Sequence, residues 1–438
     1  MLGQSIRKAR IHMTITSSMN AGVAGLNANA SRLATISDNI ANSGTYGYKR
    51  AETNFYEMVN AGNSGSGYSA GGVRTTSTRA IGENGALVGT SNAMDISLNG
   101  RGFLPVTSNG TDTVLTTTGS FYPDANGNLV TDSGLTLLGW PAGTDGTVPA
   151  NVRESMTGLE QVKVGLNQFV SNPTTKMAMS VNLPATATQP GAAAKPITQT
   201  MEYFDALGTA QTMTATFTPV AATGDAASNR WTMQLTDDAT GEAVGSYALT
   251  FAGGSAAGGT LSDVQTLSGA GYDAETGTLG LTLGGGKVSF DIGKYGAAKG
   301  MTQLSDTYTP AAITKNGSAM GTLKSVEIDE NGFVHALYDK GFSRVIYQVP
   351  VVDVPNANGL RTLDNQTYAL TNEAGAFYLW DAGTGPAGTT EGYTREQSTT
   401  DVAQELTSLI QTQHAYSSNA KIIQTVDQML QETTDLKR

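Results

Sequence analysis

Asp401-Val-Ala-Gln-Glu-Leu-Thr-Ser-Leu-Ile-Gln-Thr-Gln-His-Ala-Tyr-Ser-Ser-Asn-Ala-Lys-Ile-Ile-Gln-Thr-Val-Asp-Gln-Met-Leu430 is the stretch around which the chain is organised. Gly and Pro punctuate almost everything upstream, yet neither occurs after Gly392. Val402, Leu406, Leu409, Ile410, Tyr416, Ala420, Ile423, Val426 and Leu430 recur at helical spacing, so 397–438 is predicted to be one long helix. Thr399, Thr400 and Asp401 supply N-cap oxygens, and Gln404 stands three residues beyond Asp401, as in a capping box. Lys437 and Arg438 complement the helix dipole in the final turn. From Leu406 to Ala420 the helix carries no formal charge except what His414 acquires. A helix with one apolar stripe and an uncharged coat is poorly suited to standing alone in water. It is built to pack among other helices.

A matching segment opens the chain. Met19, Val23, Leu26, Ala30, Leu33 and Ile40 step by three and four, with Ile36 beside them, which predicts a helix over 17–42 capped by Ser17 or Ser18. Gly22 and Gly25 each weaken that helix by about 1 kcal/mol relative to Ala but admit a close neighbour. No charged residue lies between Met13 and Ser31. Pairing the two ends, coiled-coil fashion, buries both stripes most simply. An ordinary two-helix element capping a globular core accounts for the periodicity equally well.

With 438 residues the chain has room for two to four domains, and 39% apolar content is low for one large core. Fifty-three Gly among abundant Thr, Ala, Ser and Asn is a composition of turns and short strands. A net charge of −11 argues against nucleic acid or an anionic membrane as partner. No apolar run reaches the ~18–20 residues of a membrane span, so no membrane insertion is expected. The absence of Cys excludes disulfides, iron–sulfur clusters and thiolate zinc. Residues 1–12 are basic (Arg7, Lys8, Arg10), but 13–30 lacks the apolar core of a secretory signal. They are read as a flexible extension, with Met13 as an alternative start.

Along the chain, 43–50 is a breaker-rich turn, followed by a short extended or helical piece to Val59 and a Gly/Ser loop over 60–72. Strand patterns follow at 93–106, 113–121 and 134–140, with hairpin signals at Asn109-Gly110, Asn126-Gly127 and Asp145-Gly146. The composition shifts around 170–188, and a loop marked by Pro173, Pro184, Pro190 and Pro196 leads into a second β-rich block with strands at 201–207, 210–219, 230–236, 243–251 and 287–292. Strands resume at 323–328, 333–338, 344–354 and 367–370, with a turn at Asn331-Gly332, and 383–392 is read as a loop. The fold class is α+β, mostly β. The expected domains are a terminal helical pair (13–72 and 393–438), a discontinuous β domain (73–172 and 319–392) and an inserted β domain (173–318).

Catalytic patterns fail on inspection. His12, His335 and His414 form no ligand-spaced pair. Gly67-Tyr68-Ser69-Ala70-Gly71 spells a nucleophile elbow but lacks the strand and helix that an elbow needs. Gly284-Gly285-Gly286-Lys287 lacks the upstream Gly of a phosphate loop, at Leu281, and is followed by Val288. Asp237-Asp238 sits before Gly241 as a turn. Tyr46, Tyr48, Lys49 and Arg50 suggest base stacking, against which the acidic balance argues. No catalytic, cofactor or metal residues are assigned.

Leu33-Ala-Thr-Ile-Ser-Asp-Asn-Ile-Ala-Asn-Ser-Gly-Thr-Tyr-Gly-Tyr-Lys49 resembles the N-terminal signature of bacterial flagellar rod and hook proteins. Ser97-Leu-Asn-Gly-Arg-Gly-Phe-Leu-Pro-Val106 resembles that family's following segment, with Leu104-Pro105 where a second aromatic is commoner. The 401–430 stretch is similar to its C-terminal helix, with His414 where Arg is usual. Rod members are shorter and lack a sizeable second domain, so the length points to the hook-forming branch. The resemblance implies a structural, non-enzymatic subunit. It would be exported by the flagellar type III apparatus without a cleaved Sec signal and polymerise outside the cell into a curved, flexible tube. That tube would transmit torque from rod to filament as a universal joint.

The implied partners are further copies of the chain, rod proteins, hook–filament junction proteins, the hook cap during assembly and the export apparatus, with no cofactor. The implied subunit interface is Met19, Val23, Leu26, Leu33, Ile36, Ile40, Val402, Leu406, Leu409, Ile410, Tyr416, Ile423, Val426 and Leu430. A distal rod or hook–filament junction component is the alternative within the family. A secreted β-rich carbohydrate-active enzyme or adhesin is the alternative outside it, and it predicts paired carboxylates in a cleft and a Sec signal.

Overall fold

The computed structural model describes residues 2–58, 70–108, 110, 112–143, 146–165, 169–254 and 258–435, with side chains from residue 16 onward. Lys437, Arg438, Val59, most of the 60–72 loop, Asn109 and Asp145 lie outside those residues. The chain divides into two compact units: Met1–Val164, Ser325–Ala336 and Arg344–Arg438, and then Gly165–Lys324 with Leu337–Ser343.

The first unit holds both long helices. Helix α1 spans Leu2–Ala41, so it does not start at a Ser17 or Ser18 cap. No Pro interrupts those forty residues, and the Ser pair sits inside a run of acceptable helix formers. Helix α2 spans Val402–Asp435. Asp401 caps it, its Oδ1 accepting the N–H of Ala403 at 2.8 Å and of Gln404 at 3.2 Å. The helix begins after 397 because Thr389–Gly392 and Thr394–Glu396 are strands, where a loop was expected over 383–392.

Those two strands join the ends of the unit. Thr389–Gly392 pairs antiparallel with Asp95–Asn99, and Thr394–Glu396 with Leu87–Gly89. Next to α1 in sequence, β1 (Ala51–Glu57) and β2 (Val73–Arg79) form a two-stranded antiparallel ribbon packed on α1. The strand expected over 93–106 breaks into Asp95–Asn99 and Leu104–Thr107. Gly100 and Gly102 cause the break, at φ 117° and 123°. A Cβ at Gly102 would sit 2.2 Å from Val351 Cγ1, so only glycine lets the chains pass. Phe103, Leu115, Trp140, Val352, Tyr368 and Leu379 are buried together as a core, with Phe103 and Tyr368 edge to face at 5.7 Å.

The second unit carries two sheets around one core. Ile197–Phe204, Ala210–Pro219, Arg230–Asp237, Glu242–Phe251 and Leu261–Ser268 form an antiparallel meander. The other sheet is built around Lys176–Leu183, which pairs parallel with Gly286–Asp291 and antiparallel with Thr309–Lys315. Inward residues of both sheets, among them Met179, Tyr203, Phe217, Trp231, Met233, Leu281 and Phe290, are fully buried, which is the period-2 pattern of a sandwich. Lys176–Leu183 is a strand inside the loop that Pro173, Pro184, Pro190 and Pro196 were expected to mark. Met177, Met179, Val181 and Leu183 alternate inward between Pro173 and Pro184, which flank the strand without interrupting it.

One hairpin turn recurs in both units. Asp124, Asp205 and Asp329 each use Oδ1 to accept backbone N–H groups two and four residues ahead, at 2.8–3.0 Å. Gly127, Gly208 and Gly332 follow at φ 77–85°. Those hydrogen bonds favour the carboxylate form and hold the Asp205 carboxyl below its ordinary range.

Candidate assembly surface

The turn after α1 gathers the side chains that tie the two ends of the first unit together. Gly47, at φ 72°, brings the chain within reach of Thr118 and lets Tyr48, Lys49 and Arg50 turn inward. Lys49 is fully buried, and its Nζ donates to Glu396 Oε1 at 2.7 Å and to the Glu83 carbonyl at 2.5 Å. Glu396, 2% exposed, also accepts the Gly85 N–H at 2.6 Å. A buried charge pair is tolerable only when further hydrogen bonds complete it, and here they do.

Arg50 reaches the start of α2. Its N–H donates to Thr399 Oγ1 at 2.8 Å, and its Nε donates to Glu405 Oε1 at 2.5 Å. The Asn39 amide exchanges two 2.8 Å hydrogen bonds with the Ala51 backbone and donates to Glu405 at 3.3 Å. Glu405 is fully buried. Burial acts against the Arg50 cation, but the hydrogen bond and charge of Glu405 more than offset it and raise its pKa. The Tyr48 hydroxyl lies 3.0 Å from both Asp38 Oδ2 and Asn39 Oδ1, and the Arg79 guanidinium stands 4.8 Å over its ring. Burial, and then the hydrogen bond to Asp38, push the Tyr48 phenol up to about 12.

From this knot the helices run antiparallel. A Cβ at Gly22 would lie 3.2 Å from Ile423 Cγ1, and one at Gly25 would lie 2.8 Å from Asn419 Oδ1, so the two glycines set how closely the backbones approach. The seam buries Ala28 and Ile36 of α1 and Glu405, Thr412 and Val426 of α2.

The structure distributes the expected interface residues between seam and surface. Ile36 and Val426 are buried, and Met19, Leu26, Leu33, Ile40, Leu409, Ile423 and Leu430 are half-buried. Val23, Val402, Leu406, Ile410 and Tyr416 are 40–56% exposed. Ile422 and Met429, absent from the sequence expectation, are also exposed, at 46% and 48%. Asn39, Lys49, Arg50, Glu396 and Glu405 were likewise not expected as a cluster. A single Glu just before the uncharged 406–420 run of the helix is the one local hint.

The chemistry-like motifs resolve into structure. Gly284 and Gly285 make the hairpin turn between Thr278–Leu283 and Gly286–Asp291. Residues 67–69 of the elbow-like pentapeptide lie outside the described residues. Asp237 is more than a turn residue: it is 2% exposed and accepts the Tyr203 hydroxyl at 2.8 Å. That contact, with burial as the larger cause, raises the Tyr203 pKa. His335 Nε2 lies 3.1 Å from Asp329 Oδ2. Among the described residues, no group of three or more His, Cys, Asp or Glu is placed to hold a metal, and no helix is long and apolar enough to cross a membrane.

Comparison with known proteins matches three segments to families. Residues 19–49 match "Flagella basal body rod protein", 97–188 match "Flagellar hook protein FlgE/F/G D1 domain", and 390–436 match "Flagellar basal body rod FlgEFG protein C-terminal". The flagellar hook protein FlgE of Brucella suis biovar 1 is 32% identical over 97% of this chain and 100% of its own length. That of Escherichia coli K12 is 28% identical over 95% of this chain and 98% of its own. The crystal structure of Helicobacter pylori hook protein FlgE2 overlaps 69% of this chain and 99% of its own, at 13% identity and a TM-score of 0.46.

Proposed function

The chain belongs to the flagellar hook protein family, and on that premise we propose how its parts build the hook. It is a structural subunit of the bacterial flagellar hook, and the relatives it matches are structural proteins rather than enzymes. Copies polymerise into a curved, flexible tube that joins rod to filament and transmits torque while bending. The paired terminal helices form the inner layer of the tube. Rod and junction proteins contact the two ends of the tube. The cap and the export apparatus handle the subunit before it is placed.

The observation that supports this reading is the apolar surface left on the paired helices. Val402, Leu406, Ile410 and Tyr416 face outward on α2, where the other exposed residues from 403 to 418 are Ala403, His414 and several Gln, Thr and Ser. Such a surface marks an interaction site. Removing everything after Thr399 is expected to leave a soluble protein with both β cores folded, unable to form tubes. Electron microscopy after salting-out checks this, and tubes of ordinary stability from the truncated chain would refute the role given to α2.

A further inference from the structure

Within the second unit, the two segments that lead into and out of the sandwich belong to one ribbon. Phe169–Asn172 pairs antiparallel with the strand that opens at Ser318, from Phe169 opposite Thr322 to Asn172 opposite Ser318. The same two segments pair again beyond the crossing, starting with Met177 opposite Lys315. Between those pairs, 173–176 on one side face only 316–317 on the other. The two extra residues make a bulge, which bends and twists a ribbon without ending it.

Side chains complete the interrupted ladder. Asn316 Oδ1 accepts the N–H of Thr175 at 2.9 Å and of Lys176 at 2.8 Å, and its Nδ2 donates to Thr175 Oγ1 at 2.7 Å. The Asn316 N–H donates to the Lys176 carbonyl at 3.1 Å. Asn172 Nδ2 lies 3.2 Å from both the Asn316 carbonyl and Ser318 Oγ. Thr174, at the crest of the bulge, is 3% exposed. It donates its N–H to the Phe204 carbonyl and accepts the Phe204 N–H on Oγ1, both at 2.9 Å, so the bulge is pinned to the end of Ile197–Phe204 in the other sheet. The hairpin that follows Phe204 reaches back across the crossing: a Cβ at Gly208 would lie 3.4 Å from the Cβ atoms of Ser171 and Met320.

We propose that this crossing is a stapled elbow, with Asn316 as its positioning residue. Pro173 and Gly317 alone would make a loose joint between two linkers. The Asn316 amide instead takes up the N–H groups that a regular ladder would have paired, and Thr174 and the 205–209 turn brace the crossing on either side. The sandwich is therefore carried at a set angle on the paired strands and returns to it after a displacement. The elbow belongs to the single subunit and stands or falls independently of the hook reading.

Asn316 is exposed, so replacing it leaves the sandwich core intact. The chain contains no Cys, so Gln265→Cys on the sandwich and Lys340→Cys beside the paired strands place two spin labels uniquely in the full-length monomer. Pulsed dipolar spectroscopy should give one narrow distance distribution, broadened by adding Asn316→Ala. Exchange of the Thr175 and Lys176 amides should accelerate about fivefold in the same variant, the loss of roughly one net hydrogen bond at each. Asn316→Asp keeps the acceptor and should restore most of both readouts. A labelled parent already as broad as Asn316→Ala, unchanged exchange at 175 and 176, or no restoration by Asp would each overturn the elbow.

Discussion

Lys49 offers the sharpest test of how the first unit is held together. Its ammonium is 0% exposed, 2.7 Å from Glu396, and Glu396 is itself 2% exposed. Lys49→Met keeps most of the side-chain volume and removes the charge, leaving Glu396 buried with the Gly85 N–H as its remaining donor. Removing one partner of a buried pair costs about 3–5 kcal/mol. Part of the total stability of an ordinary domain, roughly 5–15 kcal/mol, is then gone. Lys49→Met/Glu396→Leu removes both charges but leaves the Gly85 N–H unpaired, a cost of about 1–3 kcal/mol. The double variant should therefore be more stable than the single one. Denaturant unfolding with a probe in each unit measures this, and only the first unit's transition should move. A single-variant loss below about 1 kcal/mol, the range of an exposed pair, would refute the claim that this buried pair fastens residue 49 to residue 396.

Three further outcomes follow from the same geometry. Tyr48 is protonated in the fold and its pKa is raised to about 12, so its contribution is intact below pH 10 and is lost as pH rises from 10 towards 12. Tyr48→Phe should flatten the alkaline fall in first-unit stability by up to about 2–3 kcal/mol across that window, and an unchanged slope counts against the assignment. Gly102→Ala, which meets a positive φ and the Val351 side chain together, should cost roughly 2–5 kcal/mol in thermal unfolding, and a neutral result would show that the passage at Val351 has slack. Deleting 173–318 joins chain ends that already meet, since Asn172 Nδ2 lies 3.2 Å from Ser318 Oγ, and should yield tubes that are straight or irregularly curved when imaged; failure to assemble would place the block in the tube's structural core.

Much of this fold is legible from local pattern. The two helical stripes, the Asp401 cap and the Asn-Gly hairpins are all set by residues within a few positions of one another. What is not local is not legible. Lys49 and Glu396 are 347 positions apart, and nothing near either one announces the other. Periodicity also marks an apolar stripe without saying what covers it: Leu409, Ile423 and Val426 turn towards α1, while Leu406 and Ile410 stay in water. The Lys176–Leu183 strand is hidden differently, because prolines at 173 and 184 carry the signal of a loop although both stand outside the strand they bracket.

Amide exchange across α2, in the monomer and in the assembled tube, tests the central claim most directly. The seam with α1 covers only part of α2 and leaves Leu406, Ile410, Tyr416, Ile422 and Met429 exposed in the single subunit, and chain ends fray first. The account therefore predicts rapid exchange from Leu406 to Leu430 in the monomer and strong protection of the same amides in the tube. Equal protection in both states, in a preparation verified as monomeric, would contradict it, because the helix would then owe nothing to neighbouring subunits.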